Sequence, residues 1–416
     1  MTVLLTVFTM INFLDKIVLG MVAVPLMAEL HLTPSEFGLV AGSFYWLFSF
    51  SAIVVGFVSN RVAARWLLLA MGLLWATFQL PLIFAGSALT LMICRVLLGA
   101  AEGPASPVAL HAIYKWFPDE RRTLPGTIVM QGAVLGLVLA GLMIPQVTRI
   151  WGWRANFVVL ATIGLAWAML WLALGREGPL DSHKASERGA SPAATHRVPY
   201  RKLLTNPSVL SLFVVGFFSM WTVGVSMTWL PAYLEQGLAL PAVTAGRLVS
   251  VVMLVPAPVC LVAGWFSERL LRRGATGRTA RVMPMVVALA IGGILTLGVT
   301  SPHFSPLQKA MLLAVANAMP SLTLVLTPPL IASIVPAAQR GAVLSIYLAL
   351  ANFASAIAPL VMGHFIQSRG AGSAQGYEAG FLPGATLMLA GAVTAWFLLR
   401  PDNASRTFEA IAAPAR

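Results

Sequence analysis

The chain has 416 residues, of which 58% are hydrophobic and only 10% charged, with a net charge of +13. Soluble domains run near roughly 45–50% apolar and about 25% charged. A soluble enzyme or nucleic-acid-binding domain is therefore excluded, and an all-α membrane protein is expected, with no long soluble domain left over.

Spanning a bilayer takes about 20 apolar residues. Twelve such runs are predicted as transmembrane helices, over 3–28, 36–59, 66–87, 89–112, 124–148, 153–175, 207–235, 243–267, 281–300, 306–335, 341–367 and 378–399. The first lacks a basic leader and is too long for a secretory signal, so it is read as a retained helix. It begins almost at Met1, and a short cytoplasmic leader is expected to be missing before it.

Asp15 and Lys16 lie near the middle of the first run, and Arg95 and Glu102 lie in the fourth. A charge at the bilayer centre costs at least about 2.5 kcal/mol, so such groups face protein or a water-filled cavity, and they usually pair. Here two acids and two bases sum to zero. Arg95 and Glu102 are two helical turns apart, roughly 10 Å, on one face. That is too far for a bond along the helix, so each is expected to meet a partner on helix 1. An inert ion pair between helices 1 and 4 is the plainer reading, but intramembrane charges are functional by default.

After the second run stands Gly56-Phe57-Val58-Ser59-Asn60-Arg61, with Arg65 beyond. The fifth run places Gly132, Gly136 and Ala140 at four-residue spacing, a close-packing face for another helix. Residues 176–206 are polar and rich in Ser, Ala and Pro, and are read as a mobile cytoplasmic linker. It separates a six-helix bundle over 1–175 from a second over 207–400, and 401–416 are left as a cytoplasmic tail. After the eighth run stands Gly264-Trp265-Phe266-Ser267-Glu268-Arg269, with Arg272 and Arg273 beyond. The two G-x-x-S-[N/E]-R loops lie 208 residues apart, half the chain. Two pseudo-symmetric six-helix repeats are expected, with a solute site between them at the midplane. Gly56, Arg61, Arg65, Glu268, Arg269 and Arg272 are expected to gate by pairing across helix ends. Simple topology accounts for Arg61 and Arg65 equally well.

With the N-terminus inside, 20 of the 27 lysines and arginines fall on the cytoplasmic side and five on the other. That asymmetry predicts an inner (plasma) membrane protein with both termini cytoplasmic. It also explains the high positive charge without a nucleic-acid partner. Cys94 and Cys260 lack metal-site spacing, and no nucleophile with a base, metal cluster or nucleotide loop is visible. An enzyme is not expected, nor any cofactor beyond the proton as coupling ion.

Ile11-Asn12-Phe13-Leu14-Asp15-Lys16, Arg95-x-x-x-Gly99-x-x-Glu102-x-Pro104, Lys115-Trp116-Phe117-Pro118 with Glu120-Arg121, Trp151-Gly152-Trp153-Arg154 and Trp229-Leu230-Pro231-x-Tyr233-Leu234 occur in that order. Together they resemble motifs of the major facilitator superfamily, and within it the anion:cation symporter family of proton-coupled organic-anion and sugar-acid transporters. The resemblance implies uptake of a small organic anion with protons by alternating access, by a monomer. It implies that Asp15 and Glu102 are protonation sites. Arg95 and Lys16 would compensate charge and hold the substrate carboxylate.

Tyr45, Gln131, Asn352 and Trp229 join Phe13 and Phe48 as further candidate substrate-binding residues. Sugar-acid members place tyrosines where this chain has Phe13 and Phe48, a polar residue where it has Ala133, and a first asparagine where it has Leu348. Asn352 is kept. Each departure removes a hydrogen-bonding group, and unpaired hydroxyls in a closed pocket are costly. The expected substrate is therefore a carboxylate less hydroxylated than a sugar acid, either aromatic or short and aliphatic. The gate loop carries Asn60 where the family carries Asp. A proton-coupled exporter and a transport-dead membrane sensor stay open as alternatives.

Overall fold

A computed structural model describes residues 1–59, 61–118, 121–180, 198–336, 339–370 and 372–412. Twelve helices are long and apolar enough to cross a membrane: Thr2–Met21, Pro34–Val58, Ala64–Ile83, Ala88–Tyr114, Leu124–Trp151, Arg154–Leu174, Pro207–Gly237, Ala242–Arg272, Arg278–Val299, Pro306–Ile334, Arg340–Ser368 and Ala374–Leu398. They are called spans 1 to 12 below. Among the described residues no strand occurs.

Span 1 is shorter than its apolar run. It stops at Met21, the chain bends at Val22, and a second helix covers Ala23–Leu30. Pro25 explains the break, because its ring clashes with the carbonyl four residues back, that of Met21. Span 4 breaks the same way at Gly103-Pro104, between Ala88–Glu102 and Ala105–Tyr114. Span 2 is interrupted over 44–47. Span 7 ends in a π-helical turn, Tyr233–Gly237, two residues after Pro231. The breaks in spans 2 and 4 face each other, since Gly99 and Gly103 lie against the carbonyls of Phe44 and Phe48 with no room for a side chain.

The small-residue face of span 5 packs on span 1. Gly132 and Gly136 back onto the Thr6 and Met10 carbonyls, and Ala140 is fully buried. One apolar cluster lies wholly within the first six spans, around Phe8, Trp75 and Trp167. A second lies within the last six and their flanking segments, around Phe213, Tyr347 and Phe408. The third, with Phe37, Trp229, Tyr233 and Met362, joins the two sets.

This joint lies at the end of the molecule away from the termini. Gly20 meets the Met227 carbonyl, Gly38 that of Pro359, Gly42 that of Ala356, Gly363 that of Pro34, and Gly141 and Gly246 meet each other. Spans 1 and 7, 2 and 11, and 5 and 8 thus touch backbone to backbone. At the terminus-bearing end the two sets diverge. Gly56 and Gly264 have no neighbour within 4 Å of a side-chain position. The stretch Phe48–Val58 has no buried residue, and Pro256–Arg272 has only Ser267. The protein is sealed at one end and open at the other.

Both described ends of the linker are docked. Glu177 accepts from the Lys115 ammonium at 2.5 Å and from the Arg65 backbone N–H at 3.0 Å, and the Leu180 N–H donates to the Lys115 carbonyl. Val198 and Gln339 exchange two hydrogen bonds, 3.0 and 2.8 Å. Residues 181–197 and Asn60 lie outside the described residues. The tail forms a helix, Pro401–Ala412, that buries Ala404 and Phe408.

Candidate substrate and proton site

Span 1 carries Asn12 and, one turn further on, the adjacent Asp15 and Lys16, just below the seal. Lys16 is one turn before Gly20, which touches span 7, so the two share a face directed at the last six spans. Asp15 turns inward instead, to 2% exposure, toward Arg95 at 3% and Glu102 at 0% on span 4. The side chains of Asp15 and Glu102 touch, and the Arg95 guanidinium faces both. The three groups inferred from their cost in a bilayer therefore form one cluster.

Two amides complete it. Gln79 of span 3 donates from Nε2 to Asp15 Oδ1 at 2.5 Å. Asn12 donates from Nδ2 to Glu102 Oε2 at 2.9 Å. Asn12 Oδ1, Gln79 Oε1, Glu102 Oε1 and the Nε and Nη1 of Arg95 are buried without a hydrogen-bond partner. Most buried polar groups are paired, so this concentration marks a site whose bonding is left incomplete. Neither amide was singled out as a site residue, Asn12 appearing only within its motif. The signal for Gln79 was present, because it is the sole amide in the apolar run of span 3.

Lys16 differs from the other three charges. It is half-buried where they are buried, and among the described residues its ammonium, like the Arg95 guanidinium, has no hydrogen bond or ion pair. Nζ lies 4.1 Å from the Phe13 ring centre and 5.0 Å from that of Phe48. Arg95 lies 4.4 Å from the Phe44 ring, and Tyr45 packs between Phe44 and Phe48 at 5.1 and 5.7 Å. The break in span 2 is what gathers these aromatic rings around both cations.

Across the opening, Asn352 of span 11 is one turn from Ala356, which touches Gly42. Asn352 is thus on the face turned to the first six spans, half-buried, with its amide bonded to the Leu348 carbonyl. Trp229 lies in the seal itself, fully buried, donating to the Pro359 carbonyl at 2.9 Å and packing edge-on against Phe37. Gln131 is exposed on span 5.

The gate-loop residues do not meet one another across the two sets in this open arrangement. Arg61 is exposed. Arg65 donates to the Leu172 carbonyl. Among the described residues Glu268 pairs with Arg272, one turn away, and Arg269 lies over Trp265. The Trp151-Gly152-Trp153-Arg154 motif serves the sealed end. Gly152 turns the chain at φ 81°, so that Trp153 and Arg154 both engage Glu29.

A buried pair absent from the sequence-based candidates lies in the last six spans. Lys309 sits in the first turn of span 10, 2.5 Å from Glu378 of span 12. The Tyr233 hydroxyl also donates to Glu378, at 3.2 Å.

Twelve spans around a one-sided opening, with ionisable groups buried at mid-depth, define a membrane transporter. The chain belongs to the Major Facilitator Superfamily, matching that family over residues 5–316. It is 25% identical over 404 residues, 93% of this chain and 90% of the other, to the "Probable sulfoacetate transporter SauU" of Cupriavidus necator. It is 24% identical to the "Probable galactarate/D-glucarate transporter GarP" of Escherichia coli, covering 88% of this chain and 87% of that one. The "Ascorbate transporter, chloroplastic" of Arabidopsis thaliana is 26% identical over 63% of this chain, which spans half of that relative's length. Among solved structures, a bacterial homologue of the lysosomal transporter Spinster superposes with a TM-score of 0.79 at 18% identity, over 100% of this chain and 98% of the other. At that identity the likeness shows the fold alone.

Proposed function

We propose that the protein imports a small organic anion together with protons by alternating access, and that its substrate is less hydroxylated than a sugar acid. Lys16 carries this reading. It is a half-buried mid-depth cation without a bonded partner among the described residues, turned toward the opening and beside a carboxyl pair that can hold a proton. The relatives named for sulfoacetate and for galactarate or glucarate support an anionic substrate. The Phe13 and Phe48 rings beside Lys16 favour an apolar substrate body. With both termini cytoplasmic in the plasma membrane, the sealed end faces outward and the open end inward.

A carboxyl–carboxyl contact requires a proton on one partner. A substrate carboxylate arriving at Lys16 withdraws that cation's field from Asp15 and Glu102, which favours protonating them. Anion and proton thus each lower the cost of the other, a reciprocal coupling between sites. Loaded with both, the site is near neutral and can pass the apolar joint between the two sets. The protein acts as a monomer on this reading, with the proton as its only coupling ion.

The test is uptake into proteoliposomes under an inward proton gradient, with aromatic acids, short carboxylates and sugar acids compared. Accumulation that collapses with a protonophore supports the reading. Substrate binding without accumulation of any acid would replace it with an exporter or sensor. Glu102→Gln keeps an acceptor for Asn12 but no titrating group. It is expected to abolish gradient-driven accumulation while substrate exchange continues, and unaffected uphill uptake would refute the role of Glu102.

A further inference from the structure

We infer that the last six spans bind an ordered water molecule in a small polar cavity between spans 7, 9, 10 and 12, at the place where the first six carry their carboxyl cluster.

The two sets repeat each other at this point. Asp15 stands ten residues before Pro25, at the bend of span 1, and Trp221 stands ten residues before Pro231, near the end of span 7. In the first set Asp15, Gln79 and Glu102 bring spans 1, 3 and 4 together. In the second, Trp221 and Thr222 of span 7, Thr296 of span 9 and Asn317 of span 10 line one cavity of about 20 Å³, against Gly384 of span 12. This second cluster is polar as well, but among the described residues no charged side chain lines it.

Trp221 and Thr222 are 8% and 9% exposed. Their indole Nε1 and hydroxyl Oγ1 are buried without a hydrogen-bond partner among the described residues. A threonine within a helix commonly donates to the carbonyl four residues back, as Thr296 does to Gly292 and Thr327 does to Thr323. The Thr222 hydroxyl does not, and is left for the cavity. A Cβ at Gly384 would lie 3.8 Å from both Thr222 Oγ1 and Trp221 Nε1. The two atoms therefore converge on the space that this glycine leaves. Ser226 donates to Asn317 Oδ1, so the Ser226 and Thr296 oxygens keep lone pairs for a guest. The wall offers an N–H and an O–H to donate and hydroxyl oxygens to accept, the set that a water satisfies.

Size and charge select the same guest. Holding one water takes a cavity of at least about 10–15 Å³ and two to four polar partners. A buried ion without a counter-charge is costly, which disfavours a metal ion or an anion here. The indole N–H, which can only donate, adds to the case against a cation. Leaving both donors unmet costs more than immobilising one water.

The experiment is thermal unfolding of the purified full chain and of two variants, Thr222→Val and Gly384→Ala. Valine keeps the shape of threonine and removes the hydroxyl. A methyl on residue 384 meets only ordinary contacts, the nearest atom being Trp221 Cδ1 at 3.6 Å, but it fills the space assigned to the water. With a water bound, each variant breaks its hydrogen bonds and should melt roughly 2–4 °C below wild type. With a dry cavity the signs reverse. Thr222→Val then removes an unpaired hydroxyl, and Gly384→Ala fills a void and adds a better helix former, so both should melt higher. An unchanged or raised melting temperature in either variant overturns the inference. A high-resolution structure of the wild type decides the matter independently of stability. Density within hydrogen-bonding distance of Trp221 Nε1 and Thr222 Oγ1 is expected, and its absence also overturns the inference.

Discussion

Gly38 is the sharpest point at which to disturb the sealed end. A Cβ there would meet the Pro359 carbonyl carbon at 2.8 Å and the Leu360 Cα at 2.9 Å, with the carbonyl oxygen nearer still. All three atoms are backbone of span 11, so no side chain can swing aside. Carbon atoms rest at about 3.5–4.0 Å, so Gly38→Ala must widen the contact between spans 2 and 11 by roughly half to one ångström. Overpacking of this kind costs about 1–3 kcal/mol. Only the sealed state bears that cost, so the ratio of sealed to outward-open molecules should fall about 5- to 150-fold. The assay is labelling by a membrane-impermeant maleimide of a cysteine placed at Met227, whose carbonyl touches Gly20, with Cys94 and Cys260 replaced by alanine. Labelling from the side away from the termini should accelerate in Gly38→Ala. An unchanged rate in a folded variant would mean that this joint does not separate during the cycle.

Lys16→Gln removes the half-buried cation beside the opening. A hydrogen bond to a charged group contributes about 1.5–3 kcal/mol, so KM should rise on the order of 10- to 100-fold, with Lys16→Arg recovering part of the loss. An unchanged KM would remove Lys16 from the binding site. Lys309→Met strands Glu378 in an apolar wall and should destabilise the protein by about 3–5 kcal/mol, whereas Lys309→Met with Glu378→Met should recover most of that. Thermal unfolding of the two variants distinguishes a structural pair from a dispensable one. At Glu177, burial opposes ionisation, but the hydrogen bond from Lys115 and those from the Arg65 and Ala64 backbone outweigh it and hold the carboxyl below its ordinary value of 4.5. Its contribution to stability is present above the unfolded value and is lost as pH falls through the lower folded one. The melting temperatures of wild type and Glu177→Gln should therefore differ at neutral pH and converge in acid. A difference that persists unchanged below that range would contradict the assignment.

The cluster of Asp15, Lys16, Arg95 and Glu102 was legible because ionised groups are expensive in a bilayer, so four such residues in apolar runs stood out without any structure. Gln79 was missed because an amide is cheaper and leaves a weaker mark in the same run. Lys309 and Glu378 were missed for a positional reason, since each lies near the start of its predicted run, where a charge can reach the membrane surface and does not stand out until its partner is known. The face of Gly132 and Gly136 was visible as a pattern, but its partner, span 1, is a tertiary fact. The proline breaks at Met21 and Gly103 follow from backbone chemistry that a hydropathy pattern does not contain. The sealed and open ends were not legible at all, because hydropathy and charge patterns do not say at which end two helical bundles meet.

The most direct test of coupling is proton movement itself, read with a pH-sensitive dye trapped in proteoliposomes when substrate is added outside at equal pH. Wild-type protein should acidify the interior in proportion to anion uptake, and Glu102→Gln should exchange anion without acidification. Anion uptake by the wild type with no change in internal pH would contradict proton symport and leave the Asp15–Glu102 pair as a structural element.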